Sequence, residues 1–175
     1  MVLTSFDGAS VDLRVGGYQF PERKAEYRRD WDANWLNICG RVSQADGASW
    51  TLVDPSLTTW EAEALGVWLL GAAAGTVDAS PYGTGEPEQL LVFTEPNLAF
   101  SVEARADDRI WVRAHFSIEA LPPWLRLQHE PDLFDYFVTV GLSVEDLANA
   151  AGSWARDLAE YPERESPAMR ATGQQ

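Results

Sequence analysis

The sequence predicts an α+β fold in which an antiparallel β-sheet of about six or seven strands carries two main helices. Three observations support this prediction: strand patterns outnumber helical ones, short turns join most of the strands, and only two segments have clear helix start signals. Parallel neighbours need long crossover connections, usually helices, and two helices are too few to supply them. No repeat at a fixed period is present.

The first part of the chain alternates between strand patterns and turns. Apolar residues alternate over Val11–Val15, and the pair Gly16-Gly17 then predicts a turn. Residues Glu22–Asp32 are dense in charge and predict a loop or an exposed turn of helix. The runs Trp35–Val42 and Ser49–Val53 are separated by a short polar segment with a glycine, a spacing that predicts a hairpin.

Two segments have the signals of capped helices. Thr58 stands three residues before Glu61, the pattern of a capping box, and Ser143 starts the second helix, which ends at Pro162. We predict that the tryptophans on both apolar faces are buried. The predicted face of the first helix is Trp60, Ala64, Val67, Trp68 and Gly71. That of the second is Val144, Leu147, Ala148, Ala151, Trp154, Ala155, Leu158 and Tyr161.

Between the two helices the pattern is again that of strands. The Pro- and Gly-rich segment Asp78–Pro87 predicts a surface loop. Alternating or apolar runs then predict four strands. These are Gln89–Phe93, Leu98–Ala104, Arg109–Ile118 and Phe134–Val140.

Length and composition predict a single domain over residues 1–162, followed by a disordered polar tail, Glu163–Gln175. Met1–Gly8 lacks the features of a signal peptide, and the apolar window Leu65–Val77 is too short to cross a bilayer at about 20 residues per span. Cys39 is the only cysteine and is interpreted as a small buried hydrophobe. We therefore expect a cytoplasmic protein.

The charge of the chain is strongly acidic, with a formal net value of −14. Residues 1–56 carry six Lys and Arg against eight Asp and Glu, whereas residues 57–175 carry seven against nineteen. Such a field repels nucleic acids and anionic membranes and attracts basic proteins. Solubility alone is the alternative explanation, and charge by itself favours neither.

No catalytic motif is found: there is no phosphate-binding loop, nucleophile elbow or paired-histidine helix. The two histidines, His115 and His129, could bind zinc together with a carboxylate, but we interpret both as surface residues. We predict no metal, no cofactor and no catalytic residue. The paired carboxylates lie where turns or a helix start favour them. These pairs are Asp107 and Asp108, Glu145 and Asp146, and Glu86 and Glu88.

Six short motifs resemble those of WapI-family immunity proteins, in the same order, from Val11 to about Arg164. The resemblance implies an antitoxin role, in which the protein protects a bacterial cell by binding a polymorphic toxin domain directly. The chain departs from the family pattern at Asp78–Pro87, an insertion, and at Arg126–Asp132, which is longer. The motifs are Gly17-Tyr18-Gln19-Phe20-Pro21, Asp32-Ala33-Asn34-Trp35-Leu36, Asp54-Pro55-Ser56-Leu57-Thr58-Thr59-Trp60-Glu61, Trp68-Leu69, Phe93-Thr94-Glu95-Pro96-Asn97-Leu98 and Pro122-Pro123-Trp124.

Candidate partner-binding residues come from exposed acids and from one strand face. In the strand Arg109–Ile118, Trp111, Arg113 and His115 alternate away from the predicted core. Aromatic and arginine side chains are enriched at binding hot spots. The candidates are Trp111, Arg113, Glu95, Asp132, Asp135, Glu145 and Asp146.

Three functional hypotheses follow. The first is an immunity protein that binds a cognate toxin, with the acidic charge complementing a basic nuclease-type toxin domain. The second is a small hydrolase, which requires two carboxylates facing each other at about 5–9.5 Å. The third is a carbohydrate-binding module, suggested by eight tryptophans, which an exposed aromatic row on one sheet face would favour.

Overall fold

The computed structural model describes residues 1–80, 89–126 and 131–166. It confirms the α+β prediction and the antiparallel pairing, but the strands form two four-stranded sheets rather than one sheet of six or seven. In both sheets the strands follow chain order, β1 to β4 and β5 to β8. The strands are β1 (Val2–Thr4), β2 (Ser10–Tyr18), β3 (Trp35–Ser43), β4 (Ser49–Thr58), β5 (Leu91–Val92), β6 (Leu98–Ala106), β7 (Arg109–Phe116) and β8 (Phe137–Ser143).

One long helix follows each sheet, so the described chain has two halves with the same order of main elements: four antiparallel strands and then a helix. No sequence repeat indicates this arrangement. Single helical turns lie in the connections. The helices are α1 (Trp31–Asn34), α2 (Thr59–Ala74), α3 (Pro123–Arg126) and α4 (Val144–Leu158), with a 3-10 turn at Ile118–Ala120.

Both long helices begin where the preceding strand ends. Thr58, the last residue of β4, has extended backbone angles and accepts the Glu61 N–H through its hydroxyl at 3.3 Å, while the Glu61 carboxylate accepts the Thr58 N–H at 2.8 Å. Ser143, the last residue of β8, accepts the Asp146 N–H at 3.0 Å. An extended residue with a hydroxyl is the preferred N-cap. Both predicted helix starts are confirmed.

The core is continuous from the first sheet through the two helices to the second sheet. Trp154 of α4 is fully buried and donates its indole N–H to the carbonyl of Ala62 in α2 at 2.7 Å. The predicted burial of Trp154 is confirmed. This side chain therefore joins the two helices and, through them, the two halves of the chain.

The predicted face of α2 is wrong. Ala64 and Val67 point outward, Val67 with 71% of its surface exposed, and Trp60 and Trp68 are only partly buried. Between Glu63 and Asp78 the chain has no charged residue, so its periodicity does not distinguish the inner face from the outer one. The buried residues of α2 are Thr59, Ala62, Leu65, Leu69 and Ala72.

Two features of the first sheet also differ from the prediction. Gly16 and Gly17 lie inside β2, where they form a bulge and not a turn: the register shifts between Val15 and Gly17, and Gly17 has a φ of 130°. Glycine is the residue that adopts this angle without strain. The short strand β1 was not predicted. The hairpin of β3 and β4 is confirmed, with Ser43 paired to Ser49.

The folded chain continues past the predicted domain boundary. Arg164 accepts through its backbone carbonyl from the Asn34 amide at 3.2 Å and donates its N–H to Asn34 Oδ1 at 2.7 Å. Its guanidinium donates to three carbonyls of the loop after β2 and lies 3.5 Å from the ring centroid of Tyr18. The predicted tail is thus wrong for Glu163–Ser166, and residues 167–175 lie outside the described residues.

Some predictions fall partly outside the described residues. Of the predicted surface loop Asp78–Pro87, only residues 78–80 are described, and Ser80 donates its N–H to the carbonyl of Val102 in β6 at 2.7 Å. His129 lies outside the described residues, as do Glu86 and Glu88. Within the described ranges, none of the helices combines the length and the apolar character needed to span a bilayer.

Candidate partner-binding surface

Two connections leave the second sheet at the same end. Leu98 of β6 pairs with Phe116 of β7, and His115 of β7 pairs with Phe137 of β8. The start of β6, the end of β7 and the start of β8 therefore lie side by side. It follows that residues 94–97 and the described residues of the next connection, 117–126 and 131–136, emerge at one end of the sheet.

Acidic side chains are concentrated at this end. Glu95 lies in the first connection, and Glu119, Asp132 and Asp135 lie in the second, all four of them exposed. The first sheet adds two acids. The charge of Asp46 raises the pKa of Tyr136, and the charges of Glu119 and Glu95 raise the pKa of Asp54. The six residues, called here the acidic end, are Asp46, Asp54, Glu95, Glu119, Asp132 and Asp135.

Trp50 of β4 attaches the second connection to the first sheet. Its indole N–H donates to the carbonyl of Ala120 at 3.0 Å. Its ring lies 5.2 Å from that of Phe116, 5.8 Å from that of Trp124 and 5.9 Å from that of Tyr136, measured between centroids. Trp50 itself is 5% exposed, so residues of the second connection pack on a buried aromatic side chain of the first sheet.

Large apolar side chains are exposed in the same region. Trp124 of α3 is 39% exposed, and Leu133 lies next to Asp132 and is 51% exposed. An exposed tryptophan packed on the buried Trp50, in a connection that also carries Glu119, Asp132 and Asp135, has the composition of a binding hot spot. The acidic end thus combines charge with apolar contact area.

The carboxyl of Asp54 has a raised pKa. Partial burial raises the pKa of its carboxyl, and the nearby charges of Glu119 and Glu95 raise it further. The charge of Arg126 and a hydrogen bond from the Asn97 amide oppose this shift. Among the described residues, no Lys or Arg nitrogen lies within 4 Å of the carboxylates of Asp54, Glu95 or Glu119.

Replacing Asp54 with asparagine is expected to raise the melting temperature at pH 7 by about 1–3 °C, because the variant removes repulsion and keeps an acceptor for the Asn97 amide. A raised pKa in the folded state means that the folded protein binds more protons than the unfolded chain just above pH 3.8, the usual pKa of aspartate. The contribution of Asp54 to stability therefore falls as the pH rises through this window, and the Asp54→Asn variant lacks this contribution.

Thermal unfolding between pH 3.5 and pH 7 measures this effect. Asp46→Asn makes the same charge change in the β3–β4 turn and is the matched control. In the Asp46→Asn variant, the part of the pH dependence of stability that comes from Asp54 should be unchanged. Destabilisation by Asp54→Asn at pH 7, with wild-type pH dependence retained, would contradict the repulsion.

The candidate acids on α4 lie elsewhere. Glu145 and Asp146 follow β8, whereas Asp132 and Asp135 precede it, and the strand has seven residues, a span of roughly 20 Å. Asp146 also accepts the Ser143 hydroxyl at 2.7 Å as part of the helix cap. The structure therefore divides the predicted acids into two groups at opposite ends of one strand.

The expectation that Trp111 and Arg113 lie on an exposed sheet face is wrong. Arg113 is 1% exposed, lies 3.5 Å from a Glu103 carboxylate oxygen and donates to the carbonyl of Ser80 at 3.0 Å. Trp111 is half-buried and lies over Gly141 of β8. The chain that returns from α2 covers this face, which the alternation of one strand does not reveal.

His115 is also buried, not a solvated surface residue. It lies between Ser101, whose hydroxyl is 2.9 Å from Nε2, and Phe134, whose carbonyl oxygen is 2.7 Å from Nδ1. Because a carbonyl only accepts, Nδ1 is the donor. Over the described ranges, no group of three or more His, Cys, Asp or Glu side chains is arranged to hold a metal ion.

The sequence interpretation missed Asp54, Glu119, Asn97 and Trp124 as members of this surface. A usable signal was present: in a sheet of consecutive antiparallel strands, every second connection leaves at the same end. Applied to the predicted strands, this rule brings residues 94–97 together with the long connection before Phe134. The same rule does not predict that Asp54 belongs to this surface, because Asp54 lies in the other sheet.

Fold and surface together define an acidic α+β domain with a rigid, exposed surface suited to a protein partner. The chain belongs to the Immunity protein WapI-like family, whose sequence model matches residues 2–162. This membership confirms the resemblance seen in the motifs and supports an immunity function. A search of curated proteins finds no match to the chain.

Proposed function

We propose that this protein neutralises a cognate bacterial toxin by binding its toxin domain directly, through the acidic end, in the cytoplasm and without turnover. The observation that carries the proposal is the position of six acids from both sheets at one end of the second sheet, in or beside the connection that carries the exposed Trp124. Family membership supplies the immunity role, and the acidic end supplies the chemistry of recognition.

The charge of the surface indicates the kind of toxin. A basic, nuclease-type toxin domain complements a protein whose net charge is −14 and whose acids at this end lack ion-pair partners among the described residues. An immunity protein that covers the nucleic-acid-binding surface of such a toxin competes with its substrate. In this proposal Asp132, Asp135 and Glu95 contact the toxin, whereas Glu145 and Asp146 contribute only long-range attraction.

The structure gives less support to the two alternative functions. A carbohydrate-binding module needs a row of aromatic rings along a sheet face, but the exposed tryptophans of the described chain, Trp31 and Trp124, lie on the single-turn helices α1 and α3. A carboxylate hydrolase needs one acid and one base in a pocket. Asp54 instead lies on β4, and Glu95 and Glu119 are exposed residues of two connections.

Growth rescue tests the proposed function. A cognate toxin domain is expressed in a bacterial host, with or without the immunity protein, and the purified pair is tested for a complex by size-exclusion chromatography. We expect rescue and a stable complex. Loss of rescue is expected when Asp132→Asn and Asp135→Asn are combined with Glu95→Gln.

The matched control carries three neutralised acids away from the acidic end: Glu145→Gln, Glu160→Gln and Asp12→Asn. This control is expected to rescue growth like the wild type. Rescue without a complex, or turnover of a toxin product by the immunity protein, would show that protection does not rest on direct binding.

A further inference from the structure

Asp54 and Asn97 meet where the two sheets adjoin. Asp54 belongs to β4 of the first sheet, and Asn97 ends the connection that enters β6 of the second. The Asn97 amide Nδ2 donates to Asp54 Oδ1 at 3.1 Å. The Asn97 backbone carbonyl also accepts the Ser117 N–H at 3.0 Å, so the same residue holds both connections of the acidic end.

The side-chain amide of Asn97 has a hydrogen-bond partner for its nitrogen and, among the described residues, none for its oxygen. Asn97 is 1% exposed, and among the described residues its Oδ1 has no hydrogen-bond donor. The bond from Nδ2 to Asp54 fixes the orientation of the amide, so Oδ1 cannot exchange places with the nitrogen to find a partner. A buried acceptor without a donor is rare in native proteins and calls for an explanation.

The charge at this point is also unbalanced. The charges of Glu119 and Glu95, which lie in the two connections, both act on Asp54 of β4 and raise the pKa of its carboxyl. Arg126 is the nearby cation, but its Nε donates to the carbonyl of Leu121 at 2.9 Å instead of forming an ion pair with Asp54. Acceptors therefore outnumber donors at the junction of the two sheets.

We infer that Asp54 and Asn97 form a slot for an arginine side chain of the partner protein, with Glu95 and Glu119 flanking it. This inference rests on the proposed function and identifies the contact made at the acidic end. A guanidinium presents several N–H donors in one plane, so it can donate to the half-buried Asp54 carboxylate and, once the side chains that cover Asn97 move aside, to Asn97 Oδ1 as well. An ammonium carries its three N–H donors on a single nitrogen and does not present this planar fork.

The slot is tested on the isolated full chain with N-acetyl-arginine amide as the probe. The side-chain amide resonances of Asn97 are followed by ¹⁵N NMR during the titration. We expect a saturable shift with a dissociation constant on the order of 1–10 mM, as for a ligand of few atoms. The isosteric neutral probe, N-acetyl-citrulline amide, should bind at least fivefold more weakly, and so should N-acetyl-lysine amide.

Two variants identify the contact. Asp54→Asn should weaken arginine binding at least fivefold, whereas Asp46→Asn, the same change in the same acidic end, should alter it less than twofold. Equal binding of arginine and citrulline amides, or unchanged binding by Asp54→Asn, would overturn the slot.

The toxin domain separates this inference from the proposed function. If the wild type binds the toxin and Asp54→Asn leaves the dissociation rate unchanged, the slot is wrong and the proposed function stands. If the wild type binds arginine amide at Asp54 but does not bind the toxin, the slot stands and the proposed function fails. A rise in the toxin dissociation rate of at least tenfold on Asp54→Asn supports both.

Discussion

Replacing Trp154 with alanine is expected to lower the free energy of unfolding by about 3–5 kcal/mol. The side chain is fully buried between α4 and α2, and its removal leaves a cavity and breaks the indole hydrogen bond to the Ala62 carbonyl. For a chain of 175 residues this loss corresponds to a fall in melting temperature on the order of 10 °C. Denaturant and thermal unfolding, followed by circular dichroism, measure it.

Val67→Ala is the control for this prediction. Val67 lies on α2 but is 71% exposed, so its truncation should change the free energy of unfolding by less than about 0.5 kcal/mol. A near-neutral effect of Trp154→Ala, or a large effect of Val67→Ala, would show that α2 and α4 pack through other faces.

Association with the toxin domain is expected to slow at least tenfold as the salt concentration rises from 0.05 to 0.5 M. Over this range the Debye length shortens from roughly 14 Å to 4 Å, which screens the attraction between the acidic end and a basic partner. The dissociation rate should change much less, because it depends on short-range contacts. Stopped-flow kinetics with the cognate toxin domain measure both rates.

Paired variants locate the source of the attraction. Asp132→Asn with Asp135→Asn should lower the association rate and raise the dissociation rate, since both residues lie at the proposed interface. Glu145→Gln with Asp146→Asn should lower only the association rate, and modestly. An association rate that responds neither to salt nor to either pair would mean that the acidity serves solubility alone.

Local features of the fold were predictable because their causes lie within a few residues. The cap at Thr58 requires a hydroxyl and a carboxylate three residues apart, and both are visible in the sequence. The same holds for Ser143 and for the hairpin of β3 and β4. Trp154 was placed correctly because α4 has charged and apolar residues on opposite sides, so one face of the helix is clearly apolar.

Predictions failed where the deciding contact comes from a distant part of the chain. The apolar sequence of α2 permits several buried faces, and the core of the folded chain buries the one with Leu65 and Leu69. The alternation of β7 correctly separates its two faces but does not show that a second layer covers Arg113 and His115. A lone strand pattern therefore indicates which residues share a face and not whether that face is exposed.

The sequence by itself determined the α+β class, the helix starts, most of the strands and the strong acidity, because these depend on composition, period and local hydrogen bonds. The motifs also indicated the family, and the sequence model of that family matches the chain. Only the tertiary structure decided the division into two sheets, the buried face of α2 and the membership of the acidic end. Asp54 and Asn97 are 43 residues apart along the chain, and what brings them together is the packing of one sheet beside the other.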